Sequence, residues 1–137
     1  MPPLPLRRLT LMLTAFAAAI AGAAPALARG GAGGGGGSEV RVAGTCGKGA
    51  TSRLRVRARS GALETRFEVW GRASANWTVT LVHERQIAWR GQRRTSGAAH
   101  YFSFGYRLPD YSGADMVTAR AVGARGVACW ASATLPG

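Results

Sequence analysis

The chain has 137 residues and carries 18 lysine or arginine residues against six acidic ones, which gives a formal net charge of +12 at pH 7. Such an excess of positive charge attracts polyanions, including nucleic acid, anionic lipid and acidic envelope polymers. With only two histidines and six carboxylates, the composition leaves little material for an acid–base or metal-binding constellation.

Residues 1–28 are predicted to be a secretory signal peptide. A basic start with Arg7 and Arg8 is followed by an apolar run at 9–21 and by Ala-Leu-Ala at 26–28, which offers a signal peptidase the small residues it requires. The apolar run is shorter than the roughly 20 residues that a spanning helix needs, so an uncleaved anchor is the weaker alternative. No later apolar stretch is long enough to span a bilayer. We therefore expect a secreted or periplasmic protein.

Residues 29–38 are predicted to be a flexible linker, because the run Gly-Gly-Ala-Gly-Gly-Gly-Gly-Gly-Ser within them cannot bury apolar surface. The remaining residues, 39–137, suit a single domain with a modest core. In an exported protein, an even pair of cysteines favours a disulfide. We therefore predict a Cys46–Cys129 bond between the start of the domain and its last strand. Two free or metal-bound thiols are the alternative, although no CxxC motif supports them.

The most regular alternation in the chain predicts a β-hairpin across residues 52–70. Its first strand places Leu54, Val56 and Ala58 between arginines, and its second strand alternates apolar with charged residues in the same way. A period of two gives each strand one apolar and one polar face. Ser60 and Gly61 provide the turn, since glycine tolerates a positive φ.

The polar face of the first hairpin strand carries an arginine ladder, made of Arg53, Arg55, Arg57 and Arg59. A register that pairs Arg59 with Ala62 would set two arginines opposite two glutamates, Arg57 opposite Glu64 and Arg53 opposite Glu68. Opposite charges across strands favour that register, and Arg66 then adds to the positive excess. The ladder is interpreted either as a solvated face that guards an exposed strand against aggregation or as a polyanion-binding strip.

Period-two alternation predicts six further strands, at residues 39–45, 76–83, 86–92, 98–108, 115–122 and 127–135. Turn residues recur roughly every ten positions, and no helical period follows the signal peptide. In the strand at 86–92, Ile87 and Trp89 are expected on one face. Eight short strands at this spacing are typical of an all-β sandwich or small barrel.

Residues 113–137, GADMVTARAVGARGVACWASATLPG, resemble the closing strands of an immunoglobulin-like or fibronectin type III-like domain. In such domains an acidic turn precedes a small-residue strand, a glycine-containing hairpin and a final strand. The resemblance implies an antiparallel β-sandwich of seven or eight strands. The chain departs from antibody domains, because Cys46 lies before the second strand and not within it. A resemblance of fold implies no activity.

A second basic group, Arg90, Arg93 and Arg94, adjoins Trp89. Arginines beside an aromatic ring can stack on bases or hold phosphate. If Trp89 points into the core, this stacking interpretation fails. Trp70 shares the face of the arginine ladder and is the better candidate for an exposed aromatic ring.

The sequence gives no support for catalysis. His83 and His100 fall within predicted strands, where a histidine with a structural role is more common than a catalytic one, and no serine stands in a G-x-S-x-G turn. The acids show no pairing, and metal-ligand spacing is absent. We therefore predict a non-enzymatic protein without a catalytic, cofactor or metal site.

The leading hypothesis is an exported binding or structural module whose basic surface engages an anionic envelope polymer or a lipid membrane, with nucleic acid bound only unspecifically. The candidate polyanion-binding residues are Arg53, Arg55, Arg57, Arg59, Arg66, Arg90, Arg93 and Arg94. The alternative is a small secreted inhibitor of a hydrolase or another envelope protein, which the compact disulfide-closed size and the flexible N-terminal segment favour.

Overall fold

The computed structural model describes residues 37–137 and shows eight strands. They are β1 (Glu39–Cys46), β2 (Thr51–Arg59), β3 (Ala62–Trp70), β4 (Asn76–His83), β5 (Gln86–Arg94), β6 (Tyr101–Pro109), β7 (Asp115–Gly123) and β8 (Ala128–Leu135). A short 3-10 turn, Ala124–Gly126, separates the last two strands. The predicted all-β class is therefore confirmed.

Two predicted segments precede the strands. The signal peptide at residues 1–28 and most of the linker at 29–38 lie outside the described residues. Within residues 37–137, no helix is long and apolar enough to cross a bilayer. Ser38, the last linker residue, accepts a hydrogen bond from the backbone N–H of Ala58 at 2.9 Å, so the chain is already aligned with β2 one residue before β1 begins.

The eight strands form one antiparallel sheet in the order β5-β4-β7-β8-β1-β2-β3-β6. Its two end strands, β5 and β6, meet through their side chains, with the Trp89 and Phe104 ring centroids 4.2 Å apart. The sheet is therefore nearly closed and barrel-like. The expected antiparallel pairing of eight strands is confirmed, whereas a sandwich of two separate sheets is not.

Strand β1 joins the two halves of the sheet. Its residues up to Gly44 pair with β2, whereas Thr45 and Cys46 pair with β8. A Cβ atom on Gly44 would lie 2.1 Å from the Ser52 hydroxyl oxygen and 2.8 Å from the Trp130 carbonyl oxygen. Only glycine allows this close approach where the strand changes partner.

The β2–β3 hairpin has the register that the charges predict. Arg59 pairs with Ala62, and the two predicted arginine–glutamate pairs, Arg57 with Glu64 and Arg53 with Glu68, stand opposite each other. Ser60 and Gly61 both have positive φ, at 52° and 69°, as a type I′ turn requires.

Inward-facing side chains of the strands form one continuous core. Six strands place fully or nearly fully buried residues in it, and the half-buried Val40 and Val42 of β1 and Trp89 of β5 pack against it. The largest buried apolar side chains are Leu54, Val56, Leu63, Phe67, Val69, Trp77, Val79, Leu81, Phe102, Phe104, Leu108 and Val117. The predicted alternation therefore describes the core correctly in most strands.

Strand β5 departs from the predicted alternation. The prediction that Ile87 and Trp89 share one face is wrong, because Ile87 is 63% exposed while Trp89 packs on the core. Leu81 pairs with Trp89 and the next residue of β4, Val82, pairs with Ile87, so Ala88 is an extra residue in a β-bulge. A bulge of one residue reverses the faces on either side of it.

The predicted disulfide is present. Cys46 and Cys129 are directly paired in the β1–β8 register, with their Cα atoms 4.1 Å apart and a sequence separation of 83. Closing a loop of this length is worth on the order of 4 kcal/mol when the entropy of the unfolded chain is considered. The bond fixes β1 to β8 where β1 has left β2.

Candidate functional site

The outward side of β1, β2, β3 and β6 carries most of the predicted polyanion-binding residues, and we call it the basic face. The strand register arranges its side chains in rows that cross the strands. The upper row alternates in charge, Glu39–Arg57–Glu64–Arg107, and the lower row is Ala43–Arg53–Glu68–Ser103. Between them lies the row Arg41–Arg55–Arg66–Gly105. We call its three arginines the central row.

Three ion pairs neutralise part of this face. Arg53 contacts Glu68 at 2.8 Å, Arg59 contacts Glu64 at 3.9 Å, and Arg41 contacts Glu39 of its own strand. Glu64 therefore bonds diagonally to Arg59, although Arg57 stands directly opposite it. Within residues 37–137, four arginines of the face make no ion pair: Arg55, Arg57, Arg66 and Arg107.

The central row is electrostatically unfavourable by itself. Arg55 stands directly opposite Arg41 on one side and Arg66 on the other. Adjacent strands lie about 4.8 Å apart, and like charges directly opposite each other destabilise a sheet. Gly105 ends the row, so β6 places no side chain directly opposite Arg66. An anion lying along the row would relieve this repulsion.

One corner of the face is already satisfied by its own contacts. Glu68 accepts hydrogen bonds from the Tyr101 hydroxyl at 2.8 Å and from Arg53 at 2.9 Å. Burial acts to raise the pKa of Glu68, but these hydrogen bonds and the charges of Arg53 and Arg66 outweigh it, so the pKa lies below its usual value. Trp70 lies against Tyr101, with ring centroids 5.1 Å apart, and beneath Arg53. Trp70 thus shares the face as predicted, but it is half-buried and its ring is already in contact with neighbours.

The second predicted basic group does not join the basic face. Its strand, β5, is separated from β2 by four strands along the sheet, and by β6 and β3 across the seam. The Arg93 guanidinium lies over the rings of Trp89 and Phe104, at 4.6 and 4.8 Å from their centroids. Arg94 donates to the Asn76 side-chain oxygen at 3.1 Å, and Arg90 is exposed. Because Arg93 already covers Trp89, this ring is not a free stacking platform.

Two face residues, Arg41 and Arg107, are not indicated by the sequence. Arg41 alternates with Val40 and Val42, which predicts an outward position but not which strand lies beside it. The arginine joins the central row only because β1 pairs with β2. Likewise, Arg107 reaches the face because β6 pairs with β3, which ends 31 positions before β6 begins. Both residues could be assigned to the basic face only if the order of the strands in the sheet were known.

The structure brings together three potential metal ligands that no spacing in the sequence indicates. Ligand atoms of His83, Glu84 and Asp115 lie within 4.8 Å of one another. However, His83 Nε2 and Asp115 Oδ1 are buried and only 2.6 Å apart. Two ligands of one zinc ion at about 2.0 Å each would stand over 3 Å apart in tetrahedral geometry. The contact therefore fits a hydrogen bond that links the end of β4 to the start of β7.

The surroundings of His83 support the same interpretation. The Tyr111 ring stacks on the imidazole, with centroids 4.9 Å apart and planes within 1° of parallel. Glu84 instead accepts a hydrogen bond from the backbone N–H of Met116 at 2.5 Å. Within residues 37–137, no serine or threonine hydroxyl bonds to the His83 ring.

Comparison with known proteins finds no matching family model, curated protein or solved structure. The functional interpretation therefore depends on the basic face and its charges. In its central row, arginines of three neighbouring strands stand directly opposite one another with no glutamate in the row.

Proposed function

We propose that this chain is a non-enzymatic exported protein that binds a linear anionic polymer along the basic face. The central row carries the proposal, because Arg41, Arg55 and Arg66 stand side by side across three strands. The neighbouring rows contain glutamates that offset their arginines, whereas this row contains none. A bound polyanion would supply the missing negative charge.

A polymer fits the surface better than a membrane does. Four of the large exposed apolar side chains in residues 37–137, Ile87, Tyr111, Met116 and Trp130, belong to elements outside the basic face. The fifth, Tyr106 of β6, has the strand parity of the buried Phe102 and Phe104 and not that of the outward Arg107. Peripheral membrane binding combines electrostatic attraction with the burial of apolar side chains, and the basic face offers few of them. The three arginines of its central row run in a line across the strands, which suits a thread-like ligand.

The exported location belongs to the same proposal. It is supported by the signal-like residues 1–28, the glycine-rich residues 29–38 and the Cys46–Cys129 disulfide, which is typical of oxidising compartments. The resemblance to an immunoglobulin-like sandwich also stays a proposal, supported by the eight antiparallel strands.

Salt titration of binding to heparin and to an oligothymidylate of about 20 nucleotides tests the function. If Arg55 and Arg66 each contact the polymer, the double variant Arg55→Gln/Arg66→Gln should reduce the slope of log K against log salt for the oligonucleotide by about 1.4, or 0.7 per contact. The control Arg85→Gln/Arg120→Gln removes the same charge from exposed sites on other elements and should leave the slope nearly unchanged.

Three results would contradict the proposal. If neither heparin nor the oligothymidylate binds at about 50 mM salt, where screening is weak, the proposal is wrong. Tighter binding to anionic vesicles than to polymers would favour a membrane surface instead. Capture of a stoichiometric protein from culture supernatant that survives high salt would favour the inhibitor alternative.

A further inference from the structure

A cavity of about 450 Å³ opens at the end of the barrel where β1, β3 and β7 finish. We call it the end pocket. Three connections form its wall: the loop after β1, residues 71–75 after β3, and the turn after β7. Trp77 lies at its inner side with only 3% of its surface exposed, and Ala50 and Val127 add apolar surface. The volume falls in the 300–1,000 Å³ range of small-molecule sites, which often occupy the mouths of β-barrels.

The inner wall of the end pocket is held rigidly by Thr95, which is completely buried. Its hydroxyl accepts hydrogen bonds from the Trp77 indole N–H at 3.3 Å and from the Ala75 backbone N–H at 2.9 Å. The same hydroxyl donates to the Ala73 carbonyl oxygen at 2.8 Å. A Cβ atom on Gly123 would lie 3.0 Å from the Trp77 ring, so glycine lets the indole lie against β7. The wall is therefore formed before any ligand arrives.

The rim of the end pocket is cationic. Lys48, Arg72 and Arg125 line it, and no acidic residue does. Within residues 37–137 none of these three side chains makes an ion pair. The Lys48 ammonium donates to the Arg125 carbonyl oxygen, which joins two of the three connections. Three uncompensated cations beside an apolar wall form a site for an anion that also carries an apolar group.

The backbone of the rim is strained where the cations stand. Lys48 and Arg125 have φ of 53° and 58°. These values lie in the left-handed region, which is unfavourable for residues other than glycine. Such conformations often occur at binding sites. Next to Lys48, Gly49 has φ of 75°, and a Cβ there would approach the Arg72 side chain to 3.1 Å. Glycine thus allows Arg72 to lie across the loop after β1.

We propose that the end pocket binds a small organic anion, with its carboxylate or phosphate group held by Lys48, Arg72 and Arg125 and its apolar body against Trp77. Arginine suits both anionic groups, because its planar fork can donate two parallel hydrogen bonds. The site is separate from the basic face and does not depend on polymer binding.

Titration of the full exported chain by NMR tests the proposal, with 1-naphthyl phosphate and octanoate as probes. At least one probe should saturate and shift the Trp77 indole signal together with the amides of Ala50 and Val127. Inorganic phosphate and neutral 1-naphthol, which each lack half of the required chemistry, should bind at least tenfold more weakly. Shifts confined to the basic face, or equal binding of inorganic phosphate, would overturn the proposal. So would the failure of both probes to shift these signals at millimolar concentration.

Two variants separate this site from the basic face. Arg72→Gln, at an exposed rim position, should lower the affinity for whichever probe binds at least tenfold and leave the affinity for heparin within twofold. Arg55→Gln should lower the affinity for heparin and leave the affinity for the probe within twofold. The amide spectrum of Arg72→Gln without ligand shows whether it is folded, and Lys48→Gln provides a second rim variant. Unchanged probe binding in both rim variants would overturn the assignment of the cations, whatever the outcome for heparin.

Discussion

Replacing Arg55 with glutamine should stabilise the protein while weakening polymer binding. Arg55 is the middle member of the central row and has an arginine directly opposite it on each neighbouring strand. Within residues 37–137 it makes no ion pair that the substitution would break. Glutamine keeps a chain of similar length and removes the charge.

The size of the effect follows from Coulomb's law. Two unit charges about 6 Å apart in water repel by about 0.7 kcal/mol, and screening at physiological ionic strength lowers this to about 0.3 kcal/mol. Two neighbours give about 0.6 kcal/mol, and the ion pair of Arg41 with Glu39 offsets part of it. At about 0.01 M salt the gain should approach 1 kcal/mol. For a domain of about 100 residues, 0.5 kcal/mol raises the melting temperature by roughly 2–4 °C.

Urea unfolding followed by tryptophan fluorescence at low and physiological salt measures the effect. The control is Arg53→Gln, which makes the same charge change on the same strand but breaks the ion pair with Glu68. It should lower the free energy of unfolding, because the carboxylate of Glu68, a residue only 8% exposed, loses a charged donor. If Arg55→Gln is destabilising at both salt concentrations, or if its effect does not grow as salt is lowered, the central row is not repulsive and the reasoning fails.

Three further predictions concern other parts of the fold. Thr95→Val should lower the free energy of unfolding by about 1–3 kcal/mol, because it leaves the buried N–H groups that bond to the hydroxyl without a partner. A loss smaller than about 0.5 kcal/mol, measured by chemical denaturation, would contradict this. Asp115→Ala should cost about 1–3 kcal/mol by leaving the buried His83 ring without its hydrogen-bond partner, and an unchanged melting temperature would disprove the link between β4 and β7. Because the pKa of Glu68 lies below 4.5, its stabilising contribution is present above about pH 4.5 and lost as pH falls through the folded-state pKa. Glu68→Gln should therefore lose less stability than the wild type between about pH 5 and about pH 3, and equal losses would argue against the assigned contacts.

Local alternation predicts this fold well where the strands are regular. The β2–β3 register follows from the arginine–glutamate pairs and from the Ser60-Gly61 turn, all within 19 consecutive residues of sequence. The bulge at Ala88 could not be predicted in this way, because an extra residue leaves the composition of a strand unchanged while reversing its faces.

Features that join distant parts of the chain could not be predicted from local alternation, for a different reason. Whether eight strands form two sheets or one depends on how β1 divides its hydrogen bonds, which the valines of β1 do not encode. The central row needs β1 beside β2, and the pairing of His83 with Asp115 needs β4 beside β7. Each juxtaposition joins segments that carry no mark of one another in the sequence.

The position of the disulfide determines how the protein would respond to tension. If the molecule were stretched between its two ends, only the residues before Cys46 and after Cys129 could be drawn out while the bond is intact. The segment between the two cysteines, which are 83 positions apart in sequence, would bear no tension while the covalent bond holds. Reduction would release a further length of about 270–300 Å at full extension. A pulling force on the glycine-rich linker would therefore act on β1 as far as the Cys46–Cys129 bond and would not extend the strands beyond it.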